Sequence, residues 1–98
     1  MGMKYTLYIG TGKDSQAADI LQRYDVHDFT LYHTIGYWKG EPEAALAVDI
    51  VSETTRANIQ HIARMLGREL RQSSVLVAAS PVDSQLVECM SDEELSDE

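Results

Sequence analysis

Apolar and polar residues alternate with a period of two over three stretches of the chain and recur at helical spacing over two others. In Met3–Ile9, Met3, Tyr5, Leu7 and Ile9 fall on one side and Lys4, Thr6 and Tyr8 on the other, which predicts a first strand. Phe29–Trp38 repeats the pattern, with Phe29, Leu31, His33, Ile35 and Tyr37 opposed to Thr30, Tyr32, Thr34 and Trp38. Gly40 and Pro42 break the alternation, so Lys39–Glu43 is expected as a turn. Ala44–Val51 then returns as a third strand, with Leu46, Val48 and Ile50 facing away from Ala47, Asp49 and Val51. Ala17, Ile20, Leu21 and Tyr24 form the stripe of a helix that Asp14 or Ser15 can cap. Ile59, Ile62, Ala63, Leu66 and Leu70 mark a longer helix that ends near Arg71, with capping candidates in Ser52–Thr55. Gly67 within that stripe costs about 1 kcal/mol relative to alanine. Ser74–Ala79 reads as a short last strand closed by Ser80 and Pro81.

The element order is β-α-β-β-α-β. It predicts an α+β, ferredoxin-like split arrangement, a four-stranded antiparallel sheet with two helices on one face. Right-handed crossovers put the first and third strands in the centre. The helices then cover Tyr5, Leu7, Leu46, Val48 and Val75, while Thr6, Tyr8, Thr30, Tyr32, Thr34, Ala47, Asp49 and Leu76 lie on the other face. Residues 1–81 make up this domain. Residues 82–90 form an extension in which Val82, Leu86 and Val87 could pack back, and 91–98 an acidic tail expected to be disordered.

Ninety-eight residues fit one domain with one modest core. The net charge of −8 is concentrated at the end of the chain, since five acids and no bases among the last eight residues leave −3 on residues 1–90. With no excess of basic residues to displace phosphate counterions, nucleic acid is not an expected partner. No apolar run is long enough to span a membrane, and no signal segment is evident. A single cysteine, Cys89, excludes an internal disulfide and fits a reducing, cytoplasmic setting.

The face without helices carries the main candidate site. Tyr8, Tyr32 and Trp38 offer flat amphipathic area, Asp49 a charge and Thr34 a hydroxyl. Its first reading is an oligomer interface, its second a ligand platform, its third plain solvation. Gly10-Thr-Gly-Lys-Asp-Ser15 could cradle an anion with Lys13 as counter-charge, but it matches neither the P-loop nor the dinucleotide spacing, and a tight turn with a helix cap also explains it. Arg64, Arg68 and Arg71 could likewise meet an anion, or form the solvated side of the second helix. His27, His33 and His61 lack metal-ligand spacing, and no metal or other cofactor is called for. His33 falls on the apolar side of its strand, where an imidazole needs a hydrogen-bonding partner and, given one, could act as a general base.

Tyr5-Thr-Leu-Tyr-Ile-Gly10, Gly36-Tyr-Trp-Lys-Gly40 with Glu41-Pro42, and Gln72-Ser-Ser-Val-Leu-Val77 resemble a family of short bacterial proteins of unknown function. Those proteins have a Leu-Tyr-Phe-Gly-type first strand, a Gly-x-Trp turn and a Gln-Glu-Ser-Val-Leu last strand. The resemblance implies the same ferredoxin-like fold and carries no activity. The functional expectation is a non-enzymatic, homo-oligomeric domain that binds a small ligand or a protein partner. One alternative is an inhibitor or adaptor acting on another protein through its acidic surface and tail. The other is a small dimeric α+β-barrel enzyme with His33 as base.

Overall fold

The computed structural model describes residues 2–10, 13–52 and 56–90. Strands β1 (Gly2–Ile9), β2 (Thr30–Trp38), β3 (Glu41–Ser52) and β4 (Leu76–Val82) form one sheet in the order β2-β3-β1-β4, every pair antiparallel. Helices α1 (Asp14–Arg23) and α2 (Arg56–Glu69) occupy the crossovers. The fold is the ferredoxin-like α+β arrangement, with β1 and β3 central. Among the described residues no helix is long and apolar enough to cross a membrane.

One parity of the central strands makes the core. Tyr5, Leu7, Ile9, Leu46, Val48 and Ile50 pack with Ala17, Ile20 and Leu21 of α1 and with Ile59, Ala63 and Leu66 of α2. The alternation of the sequence thus becomes a two-layer core. Both helices stop in the same way. Asp25 and Arg71 adopt positive φ, and the N–H groups of Val26 and Gln72 donate to the carbonyls of Leu21 and Gly67. These are Schellman ends built without glycine at the left-handed position. Gly67 is buried, and a Cβ there would stand 3.0 Å from Val75 Cγ2, so the glycine lets the segment after α2 close onto the helix.

Four expectations change. The turn is only Lys39-Gly40, both at positive φ, and β3 begins at Glu41, because a two-residue primed turn matches the twist of the strands it joins. Pro42 is tolerated because β1 ends at Ile9 opposite Leu46, so no strand flanks that part of β3 on its β1 side. β4 begins two residues later than its apolar pattern suggests and runs on through Ser80-Pro81 to Val82, which a strand at the sheet edge allows. Asp14 opens α1 without capping it from outside; its carboxylate accepts the Ser15 N–H at 2.9 Å, and the N-cap residue is Lys13. The apolar parity of β2 is covered only in part. Leu31 packs on the core, whereas Ile35 and Tyr37 are 71% and 70% exposed, because the β2–β3 hairpin runs past the end of β1. Capping by residues 53–55 and the expectation for 91–98 lie outside the described residues. Beyond β4, Leu86 and Val87 are exposed.

The two helices are tied by Arg23 Nη2 and Glu69 Oε1 at 2.6 Å. The hydrogen bond from Arg23 holds the Glu69 carboxyl below its ordinary value of 4.5. A carboxyl depressed in the folded state stabilises above its unfolded pKa, and the contribution disappears as pH falls through the folded one. The melting temperature of Glu69→Gln should therefore lie below wild type at pH 7. The gap should narrow as pH falls below 4.5 and through the lowered folded value, in paired thermal melts across pH.

Candidate functional site

The face of the sheet away from the helices is ordered by strand register. One cross-strand row is Thr30, Asp49, Thr6 and Ala78; the next is Tyr32, Ala47, Tyr8 and Leu76. Beyond β1 only the hairpin continues, with Thr34 opposite Ala45, Gly36 opposite Glu43 and Trp38 opposite Glu41. Tyr8, Tyr32, Trp38 and Leu76 are 40%, 39%, 56% and 57% exposed, while Ala47 between the two tyrosines is fully buried. Short side chains on β3 let the rings flank the strand, and this makes the apolar strip of the face.

Asp49 is the polar hub. Thr6 Oγ1 donates to its Oδ1 at 2.7 Å, the Tyr32 hydroxyl donates to its Oδ2 at 3.2 Å, and Lys4 Nζ stands 3.6 Å from Oδ2. Desolvation, then the charge of Asp49, raises the Tyr32 phenol above its ordinary pKa, so it remains a donor at neutral pH. Lys4 and Asp49 also line a wide, shallow hollow of about 500 Å³ with His27, Asp28, Phe29, Thr30 and Val51. Its central carboxylate is already met by two hydroxyls and an ammonium, so the hub organises the sheet face and offers a ligand little that is free.

The other end of the face is different. Tyr8, Gly10, Trp38, Glu43, Gln72, Ser73 and Ser74 enclose a cleft of about 200 Å³. Tyr8 comes from β1, Trp38 and Glu43 from the two arms of the overhanging hairpin, and Gln72–Ser74 from the segment that the Schellman end of α2 turns toward the sheet. A Cβ on Gly10 would stand 3.0 Å from both Glu43 Oε1 and Gln72 Oε1. Those two acceptors therefore occupy the space that a side chain at position 10 would need. Gln72 Nε2 donates to the Leu70 carbonyl at 3.3 Å, which turns Oε1 away from that bond. Among the described residues lining the cleft, Glu43 is the only acid or base.

The structure thus divides the expected ligand-binding set. Tyr8 and Trp38 share the cleft, Tyr32 and Asp49 share the hub, and Thr34 lies on the hairpin between them, in neither lining. Glu43, Gln72, Ser73 and Ser74 join the cleft from outside the expected sets, and Gly10 enters it as a packing position rather than as part of an anion cradle. A signal was present, since the three segments that carry the family resemblance, Tyr5–Gly10, Gly36–Pro42 and Gln72–Val77, all reach this cleft or its rim.

The remaining candidates stand apart. His33 does find a partner, with Nε2 3.3 Å from Asp14 Oδ2, but the pair is on the helix side and more than half exposed. Asp14 is held below its ordinary pKa by the Ser15 N–H and then by His33. Lys13 is exposed at the start of α1; Thr11 and Gly12 of the proposed cradle lie outside the described residues. Arg64 and Arg68 are exposed on α2, whereas Arg71 belongs to the turn after it, so the three do not make one helical stripe. His27 lies 3.8 Å from Asp25 and His61 meets Tyr24 edge-on at 6.3 Å. Among the described residues no group of three His, Cys, Asp or Glu could hold a metal ion.

No family model and no curated protein matches the chain. Solved structures do. A phage SAM lyase in complex with S-methyl-5′-thioadenosine aligns at 16% identity over 81% of this chain and 80% of its own, with TM-score 0.65. CPII, a nitrogen regulatory PII-like protein from Thiomonas intermedia K12 bound to ADP, AMP and bicarbonate, aligns at 12% identity over 88% and 96%, with TM-score 0.61. A DUF3240 family protein from Shewanella baltica OS155 aligns at 11% identity over 89% and 97%, with TM-score 0.65. At these identities the likeness is one of fold.

Proposed function

We propose that this chain is an oligomeric small-ligand-binding domain that takes the planar part of a nucleoside-type molecule into the cleft between Tyr8 and Trp38. The observation that carries the reading is the convergence of two aromatic walls with four polar side chains, Glu43, Gln72, Ser73 and Ser74, in one concave place. Apolar walls with a few directed polar groups are the usual make-up of a small-molecule site. At about 200 Å³ the cleft suits one ring system better than a whole nucleotide. Two structures of similar fold hold adenosine compounds, S-methyl-5′-thioadenosine in one, ADP and AMP in the other, which supports the choice of ligand class. The oligomeric part rests on the exposed strip of Tyr8, Tyr32, Trp38 and Leu76, more apolar area than a solvated face needs.

Trp38 is the only tryptophan and lines the cleft, so at a fixed protein concentration its fluorescence follows a ligand entering there. Titration with S-methyl-5′-thioadenosine should give a saturable change. Tyr8→Ala should weaken that binding by roughly tenfold or more, the effect of losing one stacking wall. A flat titration up to millimolar concentration, with no heat in calorimetry, would remove the reading.

A further inference from the structure

The geometry points to a ligand that is unphosphorylated and presents an exocyclic amino group to Glu43 and Gln72. The inference rests on the cleft being the ligand site and adds what that ligand must look like. The two side-chain oxygens beside Gly10 are both acceptors. Glu43 Oε1 and Gln72 Oε1 each stand 3.0 Å from the place of a Cβ on Gly10. A glutamate carboxylate can only accept. Gln72 could present either end of its amide, but the bond from its nitrogen to the Leu70 carbonyl fixes the amide so that the oxygen is the end beside Gly10. An edge with N–H donors satisfies both oxygens. An edge with a carbonyl sets acceptor against acceptor at that position and leaves an oxygen unpaired, the arrangement by which sites reject close analogues.

Charge separates the ligands further. Among the described residues Glu43 is the only charged side chain lining the cleft, and residues 1–90 carry a net −3. A phosphate there meets a carboxylate with no cation among the described lining residues to balance it, and that repulsion opposes what the Ser73 and Ser74 hydroxyls offer it. The same hydroxyls suit ribose. A neutral nucleoside, or one carrying a positive group, is therefore favoured over its nucleotide, and the aromatic walls add a cation–π contribution for a positive group.

Trp38 fluorescence on the full chain tests this with three probes: adenosine, inosine and AMP. Inosine carries a carbonyl where adenosine carries the amino group, and keeps a single donor on that edge, its ring N1–H. Adenosine should bind at least about tenfold more tightly than either inosine or AMP, about 1.4 kcal/mol per tenfold. Glu43→Gln removes the charge at an exposed position and should narrow the adenosine-to-AMP ratio. The fold of the variant is checked by circular dichroism. If AMP or inosine equals adenosine, or Glu43→Gln leaves the ratio unchanged, the inference is overturned while the cleft remains a ligand site. If none of the three gives a saturable signal, the site itself falls and the inference with it.

Discussion

Leu46→Ala is expected to cost about 2–5 kcal/mol of folding stability, the range for truncating a fully buried leucine. Leu46 has no exposed surface and lies between Ile9 and His33 in register, at the last row of β3 that β1 still supports. Leu7, Leu21 and Leu66 of the same core cluster are likewise fully buried, so the truncation opens a cavity inside a closed layer. A domain of this size holds only about 5–15 kcal/mol in total, so the variant should melt on the order of 10–30 °C lower. The matched control is Ile35→Ala. The alternation of β2 gives Ile35 the same parity as Leu31, yet it is 71% exposed on the overhang, and its truncation should cost less than about 0.5 kcal/mol. Denaturant unfolding of both variants measures the difference. Equal costs would mean that the helical layer extends over the hairpin, contrary to the packing described above.

That contrast also shows where sequence reading succeeds on this chain and where it stops. Period-two alternation identifies which side of a strand is apolar, and the sides are right for all of β1, β2 and β3. It does not say how far the covering layer reaches. That depends on where β1 ends relative to β3, a matter of register between residues about forty apart. For the same reason the tyrosines and Asp49 could be placed on one face, but their separation into a hub and a cleft could not. The hub forms because Asp49 is diagonal to Tyr32 and opposite Thr6. The cleft forms because a two-residue turn extends the hairpin, and because Arg71 accepts a left-handed conformation that glycine usually takes, turning Gln72 toward Gly10. Gly67 shows the limit of propensity: its cost within the helix is local, while its benefit, room for Val75, comes from a residue outside the helix.

Tyr32→Asp should convert the full chain from an oligomer to a monomer of 11.0 kDa in light scattering at micromolar concentration. Tyr32 lies in the row it shares with Ala47, Tyr8 and Leu76, where two half-exposed rings and a leucine make the apolar centre of the face. If a second copy covers that row, the substitution places a carboxylate in a desolvated seam, one register diagonal from Asp49, whose charge Lys4 already balances. A buried carboxylate without a partner costs several kcal/mol, enough to abolish a micromolar assembly. The protomer should tolerate the change, because β2 is an edge strand and the position is 39% exposed when the chain is alone; circular dichroism checks that it does. Tyr32→Phe separates area from polarity. It keeps the ring and loses only the hydroxyl that donates to Asp49, so its mass should match wild type. A wild-type mass of 11.0 kDa would remove the oligomeric half of the proposed function and leave the cleft to be tested by itself. A wild-type oligomer that survives Tyr32→Asp would move the contact to the hairpin overhang, where Ile35 and Tyr37 are bare on the opposite side of the sheet.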